Sequence, residues 1–329
     1  MRSRKTSPYR LVPNLYGICF GVAGLAQAWT LAHATISAPA WIGNTLWICA
    51  AVLWVFTSVK YVGNVHEQGR LHTELTDATS GPFVSLAAIM PMLLGVALEP
   101  YSPTAGKVIY IVGLVSTVII GGWITGVWIR SDTKLAQWHP GYFLPTVGGG
   151  LLAAGGSAAL GWTRLSQIMF GYGLICWMVL GSILLARLFT QAPLPTPLIP
   201  TIAIELAPPV VAGNAWFTMS SGRVDVVDTA LAGYAILMGL VQISMFSTYR
   251  KVPFGPGYWA FAFSYAAGVT NALHWVSAEN VSGLKPISYA LLAIATCALF
   301  ALSARTVVAI THRAFFPRIP SVAVSGQVR

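Results

Sequence analysis

Apolar residues are gathered into ten long runs separated by short polar connections. Most runs hold about twenty residues, the length that a helix needs to cross the hydrocarbon core of a bilayer. They fall near residues 13–33, 42–61, 81–99, 107–129, 140–160, 165–187, 198–220, 228–248, 256–277 and 286–311. The pattern therefore predicts ten transmembrane helices, with ends defined to within about four residues.

The odd-numbered runs open alike, with a proline near the start. These prolines are Pro13, Pro82, Pro140, Pro197 or Pro200, and Pro256. Their spacing of roughly 55 to 70 residues is the length of one helix pair, and it predicts five copies of a helical hairpin.

Odd and even runs differ in composition. The odd runs contain Pro91, Pro145 and the pair Pro208 and Pro209, together with glycine clusters at 148–150 and 155–156, whereas an even run such as 108–128 is more uniformly bulky. Broken backbone at membrane depth is tolerated only beside protein or a water-filled cavity. We therefore expect the odd helices to form an inner ring and the even ones to face lipid. The competing explanation is that proline, glycine and other small residues are common in packed membrane helices.

Composition agrees with a membrane protein. Hydrophobic residues make up 56% of the chain and charged residues 9%, with a mean hydropathy of +0.69. A soluble domain has about 25% charged residues, so this chain lacks the charge for a water-facing surface. We expect a single transmembrane domain over residues 1–329, embedded in the lipid bilayer, with tails at about 1–12 and 313–329.

The net charge of +10 arises from residues scattered between the apolar runs, which argues against a nucleic-acid partner. Fifteen Lys and Arg residues lie in connections on the side of the N-terminus and four on the other side, together the nineteen in the chain. Cytoplasmic connections carry the excess of positive charge. The sequence therefore predicts a multi-pass protein of the cell membrane with both termini cytoplasmic.

An inner ring of five helices would leave a pore. Five touching cylinders of about 10 Å diameter leave a central gap of roughly 7 Å, which small inward residues would keep open. The candidate lining residues are Phe20, Gly21, Gly24, Pro91, Gly148, Gly149, Pro209, Gly213 and Ala267. Phe263, one turn before Ala267, is large enough to close such a gap and is the candidate gate. The alternative for Phe263 is an ordinary packing ring.

The inner runs contain no Lys or Arg, so an anion there would depend on backbone dipoles and helix ends. Glu205 is the one acid well inside an inner run. An ionisable group at that depth is a functional candidate. It could be protonated, paired with a base, turned away from the axis, or the proton carrier of a coupled transporter.

Four motifs resemble those of a known family. Residues 259–263 (Trp-Ala-Phe-Ala-Phe) look like its ninth-helix signature and residues 205–213 (Glu-Leu-Ala-Pro-Pro-Val-Val-Ala-Gly) like its seventh-helix motif. Residues 139–148 are similar to the start of its fifth helix, and residues 16–21 to its first. The family is that of the tellurite-resistance and dicarboxylate transporters, with bacterial TehA, the plant slow-type anion channels and the yeast malic-acid transporter.

The resemblance implies an all-α integral membrane protein whose ten helices form five hairpins in a quasi-five-fold arrangement. It implies a pore lined by the odd helices, a homotrimer with one pore per subunit, and occlusion by a phenylalanine that falls on Phe263. The short tails differ from those of the plant members, so control by kinases through long termini is not expected. The run Gly148-Gly149-Gly150 is plainer than the plant fifth helix, which leaves selectivity open.

Other chemistry finds little support. His66 and His72 flank a cytoplasmic stretch, but their spacing is not the His-Glu-x-x-His zinc pattern, and no metal or cofactor is expected. The cysteines lie singly within apolar runs and are expected to be packing residues; they are Cys19, Cys49, Cys176 and Cys297. The inner runs lack converging catalytic groups, so we expect no enzyme.

The sequence therefore predicts an anion channel that passively conducts small inorganic or organic anions. The alternative is a proton-coupled exporter of C4-dicarboxylates, other organic anions or tellurite. A third possibility is a membrane sensor or scaffold with an occluded pore.

Overall fold

The structure of the protein is a computed structural model that describes residues 11–279 and 281–316. The predicted tails lie almost entirely outside these residues. Ten helical segments are numbered in chain order, and the first four are Pro13–Ile36, Ala40–Glu67, Gly81–Leu98 and Pro103–Arg130. The fifth combines Pro140–Phe143, Leu144–Gly148 and Gly149–Ala159, the sixth is Thr163–Thr190, and the seventh combines Thr196–Leu206 and Ala207–Met219. The eighth is Val226–Ser244, the ninth combines Pro256–Tyr258 and Trp259–Ala278, and the tenth is Leu284–Thr311. Short helices at Leu71–Thr76, Leu135–Gln137 and Phe246–Tyr249 lie in the connections.

Each predicted apolar run coincides with one segment, and the largest difference is the second, which continues to Glu67 rather than ending near 61. Eight segments, all except the fifth and ninth, are long and apolar enough to cross a membrane. The structure is thus that of a multi-pass, all-helical membrane protein over the residues described.

The proline-rich segments begin with tight turns. Segments one, five, seven and nine open with 3₁₀ turns, at Pro13–Leu15, Pro140–Phe143, Thr196–Leu206 and Pro256–Tyr258. Proline fits the first turn of a helix because that turn leaves its N–H groups unpaired. In the fifth segment a π-helical stretch, Leu144–Gly148, follows before the α-helix begins at Gly149.

Pro91 does not break the third segment. The α-helix runs without interruption through it, from Gly81 to Leu98, so the expected disruption here is wrong. Proline removes one hydrogen bond to the carbonyl four residues earlier, here that of Ala87. The indole nitrogen of Trp54, on the second segment, donates to this oxygen at 3.0 Å. A side chain therefore replaces the lost backbone bond.

Burial alternates along the chain. Within an 18-residue window, 72%, 61% and 72% of the residues of segments one, three and seven are buried, against 11% to 33% in the even-numbered segments. The even segments instead expose large apolar side chains, as in Val108, Val112 and Ile119 of the fourth. Such continuous apolar surface is stable against lipid, not against water.

The mostly buried segments contact one another in a closed order. The first packs on the third, the third on the fifth, the fifth on the seventh, the seventh on the ninth, and the ninth on the first. Each also packs on the segment that follows it in the chain.

The cysteines do not share one environment. Cys19 is buried, Cys176 is half-buried, and Cys49 and Cys297 are exposed. The expectation that all four are packing residues of the core is therefore wrong for Cys49 and Cys297.

Candidate functional site

The odd segments enclose a small cavity at the end where their prolines lie, which we call the proline-end cavity. It has a volume of about 60 Å³, and every described residue that lines it comes from an odd segment. Phe20, Leu86, Leu151, Val211 and Phe263 represent the five segments on its wall. The lining side chains are apolar apart from Asn14 and Ser264.

A larger space, the wide cavity, lies at the other end and has a volume of about 610 Å³. The odd segments, the start of the second segment and the connection at 99–101 contribute to its wall. Its polar side chains include Gln27, Thr30, Asn44, Asn214, Thr270 and His274. Gln27, Asn44, Asn214 and His274 bring N–H groups to this space, whereas the hydroxyls of Thr30 and Thr270 donate to backbone carbonyls of their own helices. No Lys or Arg is among the described residues that line either cavity.

The two cavities share four lining residues: Leu151, Leu152, Val211 and Phe263. Phe263 is the largest of them, and only 8% of it is exposed. Its ring centroid lies 4.2 Å from that of Phe20, with the planes tilted by 39°. The four apolar side chains therefore form the boundary between the cavities, with the aromatic ring packed against a second ring.

Gly24 sits behind the Phe263 ring. A Cβ placed on Gly24 would lie 3.0 Å from the Phe263 Cδ2 atom and 3.1 Å from the Ala266 Cβ atom. The glycine thus provides the space that the ring occupies. Its position explains why a residue without a side chain faces the aromatic ring here.

The structure distributes the other predicted lining residues over several environments. Phe20 and Gly148 lie on the wall of the proline-end cavity, and Ala267 lies on that of the wide cavity. Neither cavity wall includes Pro91 or Pro209.

The remaining predicted lining residues are glycines at helix contacts. Gly21 faces the Cβ atom of Ala262, and a Cβ on Gly149 would lie 2.5 Å from Cγ2 of Thr117. A Cβ on Gly213 would lie 2.6 Å from Nδ2 of Asn271. In the structure these glycines allow neighbouring helices to approach closely.

Two asparagines beyond Phe263 join the seventh and ninth segments. The Nδ2 of Asn271 donates to Oδ1 of Asn214 at 3.1 Å, and the Nδ2 of Asn214 donates to the carbonyl of Ala267 at 3.1 Å. Sequence reasoning missed this pair, together with Leu151, Leu152 and Val211. The signal for the asparagines was present, because an amide inside an apolar run indicates an interhelical hydrogen bond.

Glu205 lies away from the walls of both cavities. It is only 3% exposed, its Oε1 atom has no hydrogen-bond partner, and it forms no ion pair with another described residue. Its carboxyl is within electrostatic range of Tyr234 and Tyr249. Burying a carboxyl without a hydrogen-bond or ionic partner costs folding free energy, and an ionisable residue at membrane depth is a candidate functional residue.

His139, immediately before the fifth segment, organises its first turn. Its Nδ1 accepts a hydrogen bond from the N–H of Gly141 at 3.1 Å, and its Nε2 donates to the carbonyl of Thr79 at 3.1 Å. The imidazole stacks on Phe83. Burial lowers the pKa of His139 to about 4, so the ring is neutral at physiological pH and acts as a helix cap.

No cluster of three or more His, Cys, Asp or Glu side chains able to hold a metal occurs within residues 11–279 and 281–316. His66 and His72 are exposed.

Comparison with known proteins identifies the family. Residues 10–307 match the family model of the SLAC1-type voltage-dependent anion channels. The chain is 25% identical over 291 residues to a tellurite resistance protein TehA homolog of Haemophilus influenzae, covering 86% of this chain and 87% of that protein.

Plant proteins are also similar. The chain is 26% identical to the S-type anion channel SLAH3 of Arabidopsis thaliana, covering 96% of this chain and 51% of the plant protein. For the S-type anion channel SLAH2 the identity is 25%, with 98% and 64% covered. The chain thus spans between half and two thirds of the length of these plant relatives. The resemblance seen in the motifs is confirmed, and the chain belongs to the SLAC1 family of voltage-dependent anion channels.

Proposed function

We propose that this protein is an anion channel that passively conducts small anions along the axis of the odd segments. The observation that carries the proposal is the pair of cavities that meet at Phe263, Leu151, Leu152 and Val211. Phe263 is the gate: its ring fills the boundary, and removing it would join the two spaces. Phe20, Gly148 and Ala267 flank the boundary as lining residues, while Gly24 positions the gating ring.

The surrounding architecture follows from the same proposal. Ten transmembrane helices form five hairpins in a quasi-five-fold ring, with the fifth and ninth segments crossing the membrane beside the eight that length and composition identify. The alternation in burial and the closed order of contacts support this arrangement. The Lys and Arg distribution supports a cytoplasmic location of both termini. The homotrimer, with one pore per subunit, rests on family resemblance alone.

Anions would be held weakly by neutral donors. Asn214 lies on the wall of the wide cavity and uses one amide hydrogen on Ala267, which leaves its second donor for an anion. The Glu99 carboxylate on the same wall lies 3.8 Å from the Lys107 ammonium, which offsets its repulsion of anions. Neutral, dispersed donors give weak binding that suits fast passage.

Glu205 supports a second candidate function, a proton-coupled exporter of C4-dicarboxylates, other organic anions or tellurite. Its buried, unpartnered carboxyl is the specific observation, since a proton carrier requires a group that gains and loses a proton within the membrane. Against this role, the carboxyl is not on the wall of either cavity.

Glu205→Gln separates the two functions. In liposomes with an imposed membrane potential and no pH gradient, the channel proposal predicts chloride flux through the wild type and an equal flux through Glu205→Gln. Glu279→Gln, which neutralises an exposed acid in a connection, is the matched control. Flux that requires a pH gradient in the wild type and disappears only in Glu205→Gln would contradict passive conduction and establish coupling.

A further inference from the structure

A third space, which we call the arginine groove, lies outside the ring of odd segments. The tenth segment forms one side, and the connection at 246–252 forms the other together with Gln242 of the eighth segment. The ninth segment, with Gly21 and Leu25 of the first, forms most of the floor, and the volume is about 510 Å³. Among residues 11–279 and 281–316, none lines both this groove and the proline-end cavity or the wide cavity. The groove is therefore separate from the proposed conduction path.

The groove has a charged end and an apolar floor. Arg250 and Arg305 line it together, while Ala262, Ala266 and Ala298 form part of the rest. The aromatic side chains on its wall are Phe246, Tyr249, Tyr258, Phe261 and Tyr265. Its surface thus combines two cations with a long apolar face.

The two arginines are held by rings rather than by acids. The guanidinium carbon of Arg305 lies 4.9 Å from the centroid of Phe254, and that of Arg250 lies 5.8 Å from the centroid of Phe246. Neither arginine forms an ion pair with an acidic side chain among the described residues. Two like charges on one groove repel each other unless an anion lies between them.

The wall beside the arginines is fixed by hydrogen bonds. The hydroxyl of Tyr258 donates to the carbonyls of Tyr249 and Val252, each at 2.8 Å, and the hydroxyl of Tyr249 donates to Oε1 of Gln242 at 2.8 Å. These bonds tie the connection before the ninth segment to the eighth. The groove is therefore preformed, which lowers the entropy cost of binding.

We propose that the arginine groove binds an anionic phospholipid, with the phosphate between Arg250 and Arg305 and an acyl chain along Ala262, Ala266 and Ala298. Arginine is the side chain best suited to phosphate because its planar fork presents paired donors. Basic pockets between transmembrane helices on the cytoplasmic side are typical sites for anionic lipid head groups. The apolar floor distinguishes a lipid from a free phosphate ion, which would gain nothing from it.

The proposal predicts that the double variant Arg250→Gln/Arg305→Gln binds phosphatidylglycerol at least about tenfold more weakly, since both charged donors to the phosphate are removed. Binding is measured by native mass spectrometry of the delipidated full-length protein titrated with phosphatidylglycerol. Lys60→Gln/Arg130→Gln is the matched control. It removes two exposed cations that do not line the groove, one of which also lies over a ring, Phe56.

A second variant keeps both charges. Ala298→Trp adds a ring at an exposed position on the groove floor, so it should displace the acyl chain and weaken binding without unfolding the protein. Phosphatidylcholine should bind weakly to every variant, and inorganic phosphate should compete poorly with phosphatidylglycerol.

Three results would overturn the proposal. One is an equal loss of phosphatidylglycerol binding in the Arg250/Arg305 variant and in the Lys60/Arg130 control. Another is that inorganic phosphate displaces bound phosphatidylglycerol as effectively as added lipid does, which would mean that the arginines bind a soluble anion. The third is a change in subunit number with lipid binding unaltered, which would mean that a second copy of the chain covers the groove. None of these results depends on whether Phe263 is a gate.

Discussion

Phe263→Ala should raise the anion conductance of the protein in planar bilayers by about tenfold or more, because lowering a barrier by about 1.4 kcal/mol already gives that factor. The ring of Phe263 is the largest side chain on the boundary shared by the two cavities, and it packs against Phe20 at 4.2 Å. Truncation to a methyl group removes the ring from the boundary and leaves Leu151, Leu152 and Val211 as its walls. Single-channel recording of the purified protein measures the effect.

Phe261→Ala is the matched control for this substitution. Phe261 is on the same helix but lines the arginine groove, so its truncation should leave conductance at the wild-type level. Size-exclusion profiles and helical content establish that both variants are folded. A folded Phe263→Ala protein with wild-type conductance would contradict the gate. Flat traces from wild type and Phe263→Ala alike would instead favour a sensor or scaffold with an occluded pore.

Gly95→Ala should lower the midpoint of thermal unfolding in detergent by up to about 4 °C, since overpacking costs up to roughly 3 kcal/mol and this contact is with rigid backbone. A Cβ on Gly95 would lie 2.6 Å from the backbone nitrogen of Tyr110 and 2.7 Å from the carbonyl oxygen of Gly106. The third and fourth segments would have to separate to admit one methyl group. Tryptophan fluorescence of the purified protein follows the transition.

Gly122→Ala provides the comparison within the same pair of segments. Gly122 is exposed on the fourth segment, and nothing lies within 4 Å of the position that its Cβ would occupy. Alanine there should leave the midpoint unchanged or raise it slightly, because alanine is the better helix former. Similar midpoints for the two variants would show that the close approach at Gly95 does not stabilise the fold.

The sequence was sufficient to place the helices and to divide them into two classes. Segment length follows from bilayer thickness, so the apolar runs gave most ends to within a few residues. The contrast between proline- and glycine-bearing runs and bulky runs anticipated the alternation in burial. Pro91 shows the limit of that reasoning, because the helix through it is stabilised by Trp54, a partner on another segment.

The site was predictable only in part. In the fifth and seventh segments, the residues that face the cavities cannot be identified by assuming a regular α-helical repeat along the whole segment. A π-helical stretch at Leu144–Gly148 precedes Leu151 and Leu152, and a 3₁₀ stretch at Thr196–Leu206 precedes Val211. Each changes the rotation per residue, so the helix that follows presents a different face from the one expected. Phe263 lies in a regular helix, Trp259–Ala278, and its place on both cavity walls needed no such correction.

The most direct test of the axial path uses two cysteines on the fifth segment. Gly148 lines the proline-end cavity and Gly155 the wide cavity, and a Cβ at either position would lie at least 3.5 Å from its neighbours. They flank Leu151 and Leu152. Each is introduced in a background that lacks Cys19, Cys49, Cys176 and Cys297, and the protein in sealed vesicles is treated from one side with an impermeant, negatively charged thiol reagent.

With Phe263 in place, the account predicts that Gly148→Cys and Gly155→Cys react from opposite sides of the membrane. In Phe263→Ala, each should become reactive from both sides. Reaction of both cysteines from the same side while Phe263 is intact, or unchanged one-sided reactivity in Phe263→Ala, would contradict the claim that the path runs between the two cavities at Phe263.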